Sequence, residues 1–171
     1  MMSGLIQVYT GDGKGKTTAA VGQALRAVGW GKKVCIVQFM KGNKTGEMLA
    51  FKKFPNVKVW QFGQAGKFVK KPTKKDVQLA QEALDLANTI IKDKKCDLLV
   101  LDEINVALHF KLLALKDVLA ILKRKPTNLE LVLTGQKAPK EILALADLIT
   151  EMKKIKHPFD KGFKARQGIE Y

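Results

Sequence analysis

Residues 10–18 read Thr-Gly-Asp-Gly-Lys-Gly-Lys-Thr-Thr, between an apolar run, Leu5-Ile6-Gln7-Val8-Tyr9, and a helical pattern over 18–28. A strand that turns through alternating glycines into a helix commits the chain to an α/β layout. The turn must then lie at the carboxyl edge of a sheet, where such folds bind ligands. Backbone N–H groups and the positive end of the helix converge there, which suits the phosphates of a nucleoside triphosphate. Lys16 supplies a point charge and the Thr17 hydroxyl an oxygen for Mg²⁺. The common spacing G-x-x-x-x-G-K-[ST] would place its first glycine at Thr10. Here Gly11, Gly13 and Gly15 alternate instead, and a second lysine, Lys14, lies inside the turn.

The rest of the chain repeats the strand–helix alternation. Apolar runs predict strands over 4–9, 33–39, 57–62, 97–102 and 129–134, with a short sixth near 148–152. Helical spacing predicts helices over 17–29, with Ala20, Ala24, Ala27 and Val28 on one face, and over 74–92, with Val77, Ala80, Leu84, Ala87 and Ile91 inward. Two further helices are expected over Lys44–Phe54 and Val106–Lys123. The predicted fold is α/β and P-loop NTPase-like: a mostly parallel sheet of about five or six strands with helices on both faces. Leu98-Leu99-Val100-Leu101 is apolar throughout, as a central parallel strand buried on both sides must be. Residues 63–73 read as a long loop at the mouth of the sheet. The tail from about Lys153 keeps Ile155, Phe159, Phe163, Ile169 and Tyr171, too many apolar groups to hang free; it is expected to pack on the body or over a ligand.

At 171 residues one domain, 1–171, is expected, with a core large enough to need no staple. No apolar run approaches the roughly 20 residues of a membrane span. No signal peptide is visible before the first strand. Cys35 and Cys96 lie in or beside apolar runs and read as buried, reduced thiols of a cytoplasmic protein. The net charge of +15 could signal nucleic acid, but of 31 basic residues only Arg26, Arg124 and Arg166 are arginine. Arginine is the usual residue for bidentate phosphate and base recognition, whereas dispersed lysines make a solvated surface that attracts polyanions such as ATP.

Further candidates fall at the same predicted edge. Asp102-Glu103 follows the buried strand and would complete a Mg²⁺ site with Thr17. Glu103 is favoured as the nearer carboxylate with Asp102 in support, and the sequence does not rank them further. Thr134-Gly135 ends another strand. Lys41, in Gln38-Phe39-Met40-Lys41-Gly42, is placed for a phosphate. His109 and His157 are the only histidines and form no metal-ligand spacing. Ser3 is the only serine, so hydrolase triad chemistry is implausible.

These pieces resemble the P-loop-type ATP:corrinoid adenosyltransferases, which act on cob(I)alamin or cob(I)yrinic acid a,c-diamide. The resemblance rests on residues 10–20, Ala24–Gly29, Val37–Gly42, Leu101–Glu103, Leu133–Gly135, Ala146–Met152, Lys156–Gly162 and Gly168–Tyr171. It implies that Co(I) of a reduced corrinoid attacks C5′ of ATP and that triphosphate leaves whole, with ATP held in reversed orientation on the loop. Gly11, Asp12, Gly13, Lys14, Gly15, Lys16, Thr17 and Thr18 would wrap the phosphates, with Gly135 also on ATP. Lys16 and Lys41 would be the catalytic, charge-neutralising pair, and Thr17, Glu103 and Asp102 would hold Mg²⁺ or Mn²⁺. Positioning and charge neutralisation would do most of the work.

On the corrinoid side the resemblance points to aromatics after the third strand: Phe68 first, with Phe62 or Trp60 behind it. The family's Gly-Phe-x-Trp pattern is not intact, since Lys67 follows the glycine and Val69 stands where an aromatic is expected. Gln136 stands where the family usually has arginine after Thr-Gly, so one phosphate contact is either lost or replaced by Lys137. The N-terminal extension that covers the site in some members is not seen, so a partner subunit or the tail would cover it. The family further implies a homodimer and a flavoprotein reductant, with no nucleic-acid or membrane partner. Two other classes compete: a RecA-like nucleic-acid-dependent NTPase, which predicts steeply salt-dependent DNA or RNA binding, and a small-molecule kinase, which needs an acceptor base and a lid arginine.

Overall fold

The computed structural model describes residues 3–66 and 71–171. Six strands form one sheet: β1 (Ile6–Thr10), β2 (Val34–Phe39), β3 (Val57–Phe62), β4 (Leu98–Asp102), β5 (Glu130–Thr134) and β6 (Leu148–Glu151). Their order is β3-β2-β4-β5-β1-β6 and every pairing is parallel. All six expected strand runs are present, the short sixth included. Parallel pairing sends every carboxyl end to one edge. There Gln38 of β2 lies opposite Asp102 of β4, and Tyr9 of β1 opposite Thr134 of β5.

Helices α1 (Lys16–Gly29), α2 (Gly46–Phe51), α3 (Lys74–Lys92), α4 (Ile104–His109), α5 (Leu115–Lys123) and α6 (Lys140–Leu145) cover the two faces. On one face, Ala20, Ala24 and Val28 of α1 and Phe51 of α2 pack on Val34, Ile36, Leu98, Val100 and Val132. The small residues at four-residue spacing let α1 lie close to the sheet. The other face is larger: α3, α4, α5 and α6 pack on Val8, Val37, Phe39, Leu99, Leu101, Leu131 and Leu133. Alternate residues of each strand thus feed opposite cores, and β4 is buried along its whole length.

Three helical expectations need correction. The run Val106–Lys123 is not one helix. It breaks after His109, where Lys111 takes a left-handed φ of 56° and Leu112 and Leu113 turn into the core. The segment expected over Lys44–Phe54 shortens to Gly46–Phe51. On α3, Val77 is 43% exposed, and Ala83 and Ile90 fill the inner face beside Ala80, Leu84, Ala87 and Ile91. The helix begins one residue past Thr73, whose side chain accepts from the Asp76 N–H while the Asp76 carboxylate accepts from the Thr73 N–H.

Cys35 and Cys96 are both buried with free thiols. No helix among the described residues is long and apolar enough to cross a membrane.

Candidate active site

The glycine-rich loop does not stand alone at the edge. The chain leaving β6 runs alongside it and pairs with it: the Met152 N–H donates to the Thr10 carbonyl (2.9 Å), and the Gly13 N–H donates to the Met152 carbonyl (2.6 Å). The Lys154 N–H donates to Asp12 Oδ1 (2.9 Å), which holds that carboxyl below its ordinary range. A Cβ on Gly13 would sit 2.7 Å from the Met152 carbonyl oxygen, and one on Gly11 would also strike Met152 backbone. Two of the alternating glycines are therefore required by this close backbone packing, whatever the loop binds. Gly15, with φ of 120°, makes the turn into α1.

The first intrahelical bond of α1 runs from the Ala19 N–H to the Gly15 carbonyl (2.7 Å), so the N–H groups of Lys16, Thr17 and Thr18 precede it. No acidic residue occupies that first turn and no side chain caps it. Lys16 is buried and its Nζ donates to the Gly13 carbonyl (2.6 Å). Burial pulls its pKa down, against the pull of the Glu103 and Asp12 carboxylates.

Asp102 is the hub. Its Oδ1 accepts from the hydroxyls of Thr17 (2.8 Å) and Thr134 (2.7 Å), and its Oδ2 from Lys41 Nζ (2.6 Å) and Gln38 Nε2 (3.0 Å). Burial alone would raise its pKa. The Lys41 ammonium and the hydrogen bonds from Lys41, Thr134 and Thr17 outweigh that and hold it below the ordinary carboxylate range. Lys41 shows the mirror effect: burial works against its charge, and Asp102 wins and raises its pKa.

Glu103 differs. Its backbone is left-handed, with φ of 64°, and its N–H donates to the Thr134 hydroxyl (2.9 Å). Its carboxylate has no hydrogen-bond partner among the described residues. Burial, then the neighbouring Asp102 charge, push its pKa up. Two more non-glycine residues with left-handed φ, Met40 (58°) and Lys137 (57°), sit at the same edge. Such conformations cost of order 1–3 kcal/mol each, and they gather where strands hand over to the site.

The carboxyl edge thus brings together Lys16, Thr17, Lys41, Asp102, Glu103 and the Thr134-Gly135 turn. Gly135 packs on α4, and the buried Asn105 Nδ2 donates to its carbonyl (3.3 Å). Thr18 is exposed on the first turn of α1. Lys14 reaches outward to Glu170 of the tail, with Nζ–Oε1 at 2.9 Å. Arg166 and Lys14 together pull the Glu170 carboxyl down to about 2. Lys137 turns to His109 Nε2 (3.1 Å), while Gln136 is exposed.

The aromatic candidates separate. Residues 63–66 pack backbone to backbone on 40–43: the hydrogens of Gly42 and Gly63 face each other's loops, and the Gly66 N–H donates to Asn43 Oδ1 (2.8 Å). Phe62 is half-buried just before this contact. Trp60 is not brought to this edge; it lines a cavity with Lys33, Cys35 and Pro55, where β2 and β3 begin. Phe68 lies outside the described residues. Gln38, Asn105, Met152 and Glu170 are site neighbours that residue type and spacing did not single out as partners.

Fold and edge together define a class: an α/β protein of the P-loop nucleotide-binding type, with its phosphate loop, adjoining carboxylates and lysines on one sheet edge. The family model for the ATP:corrinoid adenosyltransferases BtuR/CobO/CobP matches residues 2–171. A corrinoid adenosyltransferase of Sinorhizobium sp is 40% identical over 172 residues, spanning 98% of this chain and 80% of its own length. Those of Pseudomonas aeruginosa and Escherichia coli K12 are each 38% identical over 170 residues, spanning 98% of this chain and 84% and 86% of their own. The chain belongs to the ATP:corrinoid adenosyltransferase family.

Proposed function

We propose that this chain moves the 5′-deoxyadenosyl group of ATP to the cobalt of a reduced corrinoid and releases triphosphate. In that reaction the C5′–O5′ bond breaks as the Co–C5′ bond forms, and both bonding electrons come from Co(I). The protein has to hold a polyanionic leaving group and present one carbon. The observation that carries this reading is the cationic frame around the loop: Lys14, Lys16, Lys41 and the first turn of α1 surround one phosphate-sized turn. Charge gathers on the departing triphosphate, and fixed ammonium and N–H groups there stabilise the transition state. Asp102 accepts four hydrogen bonds with a lowered pKa, so it orders Thr17 and Lys41 and takes no proton.

Thr17 and Glu103, backed by Asp102, are proposed to hold Mg²⁺ or Mn²⁺. The donors fit: all are hard oxygens, and among the described residues the Glu103 carboxylate has no competing hydrogen bond. Among the described residues no cluster of three or more acidic, His or Cys side chains could hold a metal unaided. That matches a cation completed by substrate phosphates and water. Bound there, it would add positive charge against the triphosphate oxygens. Gly11, Asp12, Gly13, Gly15, Thr18 and Gly135 would shape the ATP site through backbone. Phe68, with Phe62 behind it, is the proposed corrin contact; Trp60 would act only indirectly. A homodimer, a flavoprotein reductant and a cytoplasmic location complete the proposal.

The test is an anaerobic assay with ATP, Mg²⁺ and chemically reduced corrinoid. A light-sensitive adenosylcobalt spectrum together with inorganic triphosphate is expected. Release of phosphate or diphosphate alone would overturn the reading.

A further inference from the structure

Strand β3 forms one edge of the sheet and is covered less completely than its neighbour: every residue of β2 is buried, and none of β3 is. Val57 and Val59 pack on the side of α1, so Lys58, Trp60 and Phe62 take the register that faces α3. An apolar side chain is expected at position 58. Its partner across the pair is Cys35, and the partner of Trp60 is Val37, both of them core residues. A lysine stands there instead. Neither the Lys58 nor the Lys33 side chain has a hydrogen-bond or ion-pair partner among the described residues.

A cavity of about 600 Å³ opens here between β3, the start of β2 and α3. Its apolar walls are Val34, Cys35, Pro55, Trp60, Leu86 and Ile90, and its charged residues, Lys33, Lys58 and Lys95, are all positive. The carboxylates nearest in sequence are committed elsewhere. Asp97 accepts from the Lys33 N–H (2.8 Å), and Asp93 pairs with Lys95 (3.0 Å) at the surface. The positive field reaches the floor of the cavity: a hydrogen bond from Cys96, then the Lys58 and Lys95 charges, hold the Cys35 thiol below its ordinary value against burial. Ligand pockets of roughly 300–1,000 Å³ have mainly apolar walls and a few polar groups that orient the occupant. Here every charged group that could orient one is a cation.

An occupant of this cavity must bury apolar surface against Trp60, Leu86 and Ile90 and bring negative charge to Lys33 and Lys58. A polyphosphate has the charge without the apolar body, and a neutral oil has the body without the charge. We propose that the cavity binds a small anionic amphiphile, a medium-chain carboxylate, with its hydrocarbon between Trp60 and α3 and its carboxylate at Lys33 and Lys58. The site is separate from the phosphate loop. That loop lies at the carboxyl edge of the sheet, whereas Lys33, Val34 and Asn56 stand where β2 and β3 begin. The proposal therefore does not depend on the adenosyl-transfer reading.

The test is titration of the purified protein with decanoate, kept below its micelle threshold, beside hexanoate and 1-decanol. Trp30→Phe removes the other tryptophan, which is 85% exposed, so that fluorescence reports Trp60 alone. Decanoate should saturate a single site and shift the Trp60 emission. Hexanoate should bind more weakly by about two- to fourfold for each methylene removed. In the same background, Lys33→Gln/Lys58→Gln should weaken decanoate about three- to tenfold and leave 1-decanol and the melting temperature unchanged. 1-Decanol should bind the parent protein more weakly than decanoate by a similar factor. Binding that does not saturate, equal affinity for decanoate and 1-decanol, or a double variant that keeps the parent's decanoate affinity would overturn the proposal.

Discussion

Two lysine–carboxylate pairs flank the phosphate loop, each carboxylate accepting four hydrogen bonds, and they differ chiefly in burial. Lys41–Asp102, at 2.6 Å, joins a carboxylate that is 1% exposed and saturated by four donors. Lys14–Glu170, at 2.9 Å, lies on the surface between a loop and a tail that meet across most of the sequence. The inner pair is bound into the sheet: its carboxylate is the last residue of β4, beside Gln38 of β2. The outer pair hangs on a turn made by 166–170. Burial decides what the same two functional groups can do. Inside, they fix geometry and breaking them is costly; outside, water stands in for a lost partner.

The comparison is tested most severely where the inner side meets substrate. If the proposed role holds, Lys16→Ala should lower adenosyl transfer about 10²- to 10³-fold, because the buried ammonium now hydrogen-bonded to the Gly13 carbonyl would no longer neutralise the leaving group. Single-turnover formation of the adenosylcobalt product measures it, and a loss under tenfold would move the main cationic role to Lys14 or Lys41. Asp102→Ala should cost about 3–5 kcal/mol of stability, since Lys41, Gln38, Thr17 and Thr134 all lose an acceptor. The lower half of that range is expected, because Lys41 keeps a quarter of its side chain in water. Urea denaturation gives the value. The pH dependence follows from the lowered Asp102 pKa. An aspartate depressed in the fold stabilises above its unfolded value of 3.8, and that stability is lost as pH falls through the folded one. The gap between wild type and Asp102→Asn should be full at pH 6 and shrink progressively below about pH 4. A gap that stayed constant to pH 2 would show that charge is not what Asp102 contributes.

Why the sequence exposed one side of this comparison and hid the other has a physical reason. Strands buried on both faces announce themselves: Leu98–Leu101 and Val34–Val37 read directly, and with them the sheet edge where Lys16, Lys41 and Asp102 had to meet. Which of Asp102 and Glu103 turns inward was not readable, because it depends on the left-handed backbone at Glu103, a conformation no glycine marks. The same kind of turn at Lys111 splits α4 from α5, while the apolar pattern runs on through Leu112 and Leu113. Gly11 and Gly13 read as space for phosphates, and the Met152 backbone that also requires them lies about 140 residues away. A single Glu170 among so many lysines gives no periodic signal at all. Its partner is set by where the tail lands.

Glu103 lies between the two regimes: buried enough for its pKa to rise, yet with no hydrogen bond to its carboxylate among the described residues. A carboxylate whose folded pKa is raised costs stability at pH values above its unfolded pKa, where the unfolded chain ionises more readily than the folded one. Glu103→Gln should therefore raise the urea midpoint of the ligand-free protein at pH 7 while lowering Mg²⁺-dependent turnover about 10–100-fold. If instead stability falls and the Mg²⁺ dependence is unchanged, the metal role passes to Asp102.

The smallest effect belongs to the outer pair, and its smallness is the point. Lys14→Ala should shift the urea midpoint little, because the lysine side chain is 46% exposed, and Glu170→Gln only modestly more, because the glutamate also loses charge-assisted bonds from Arg166 at the surface. A double-mutant cycle on stability should give a coupling between the two of about 0.2–1 kcal/mol, as exposed pairs do. Coupling as large as the loss expected at Asp102 would reverse the assignment, making the outer pair a structural clasp like the inner one.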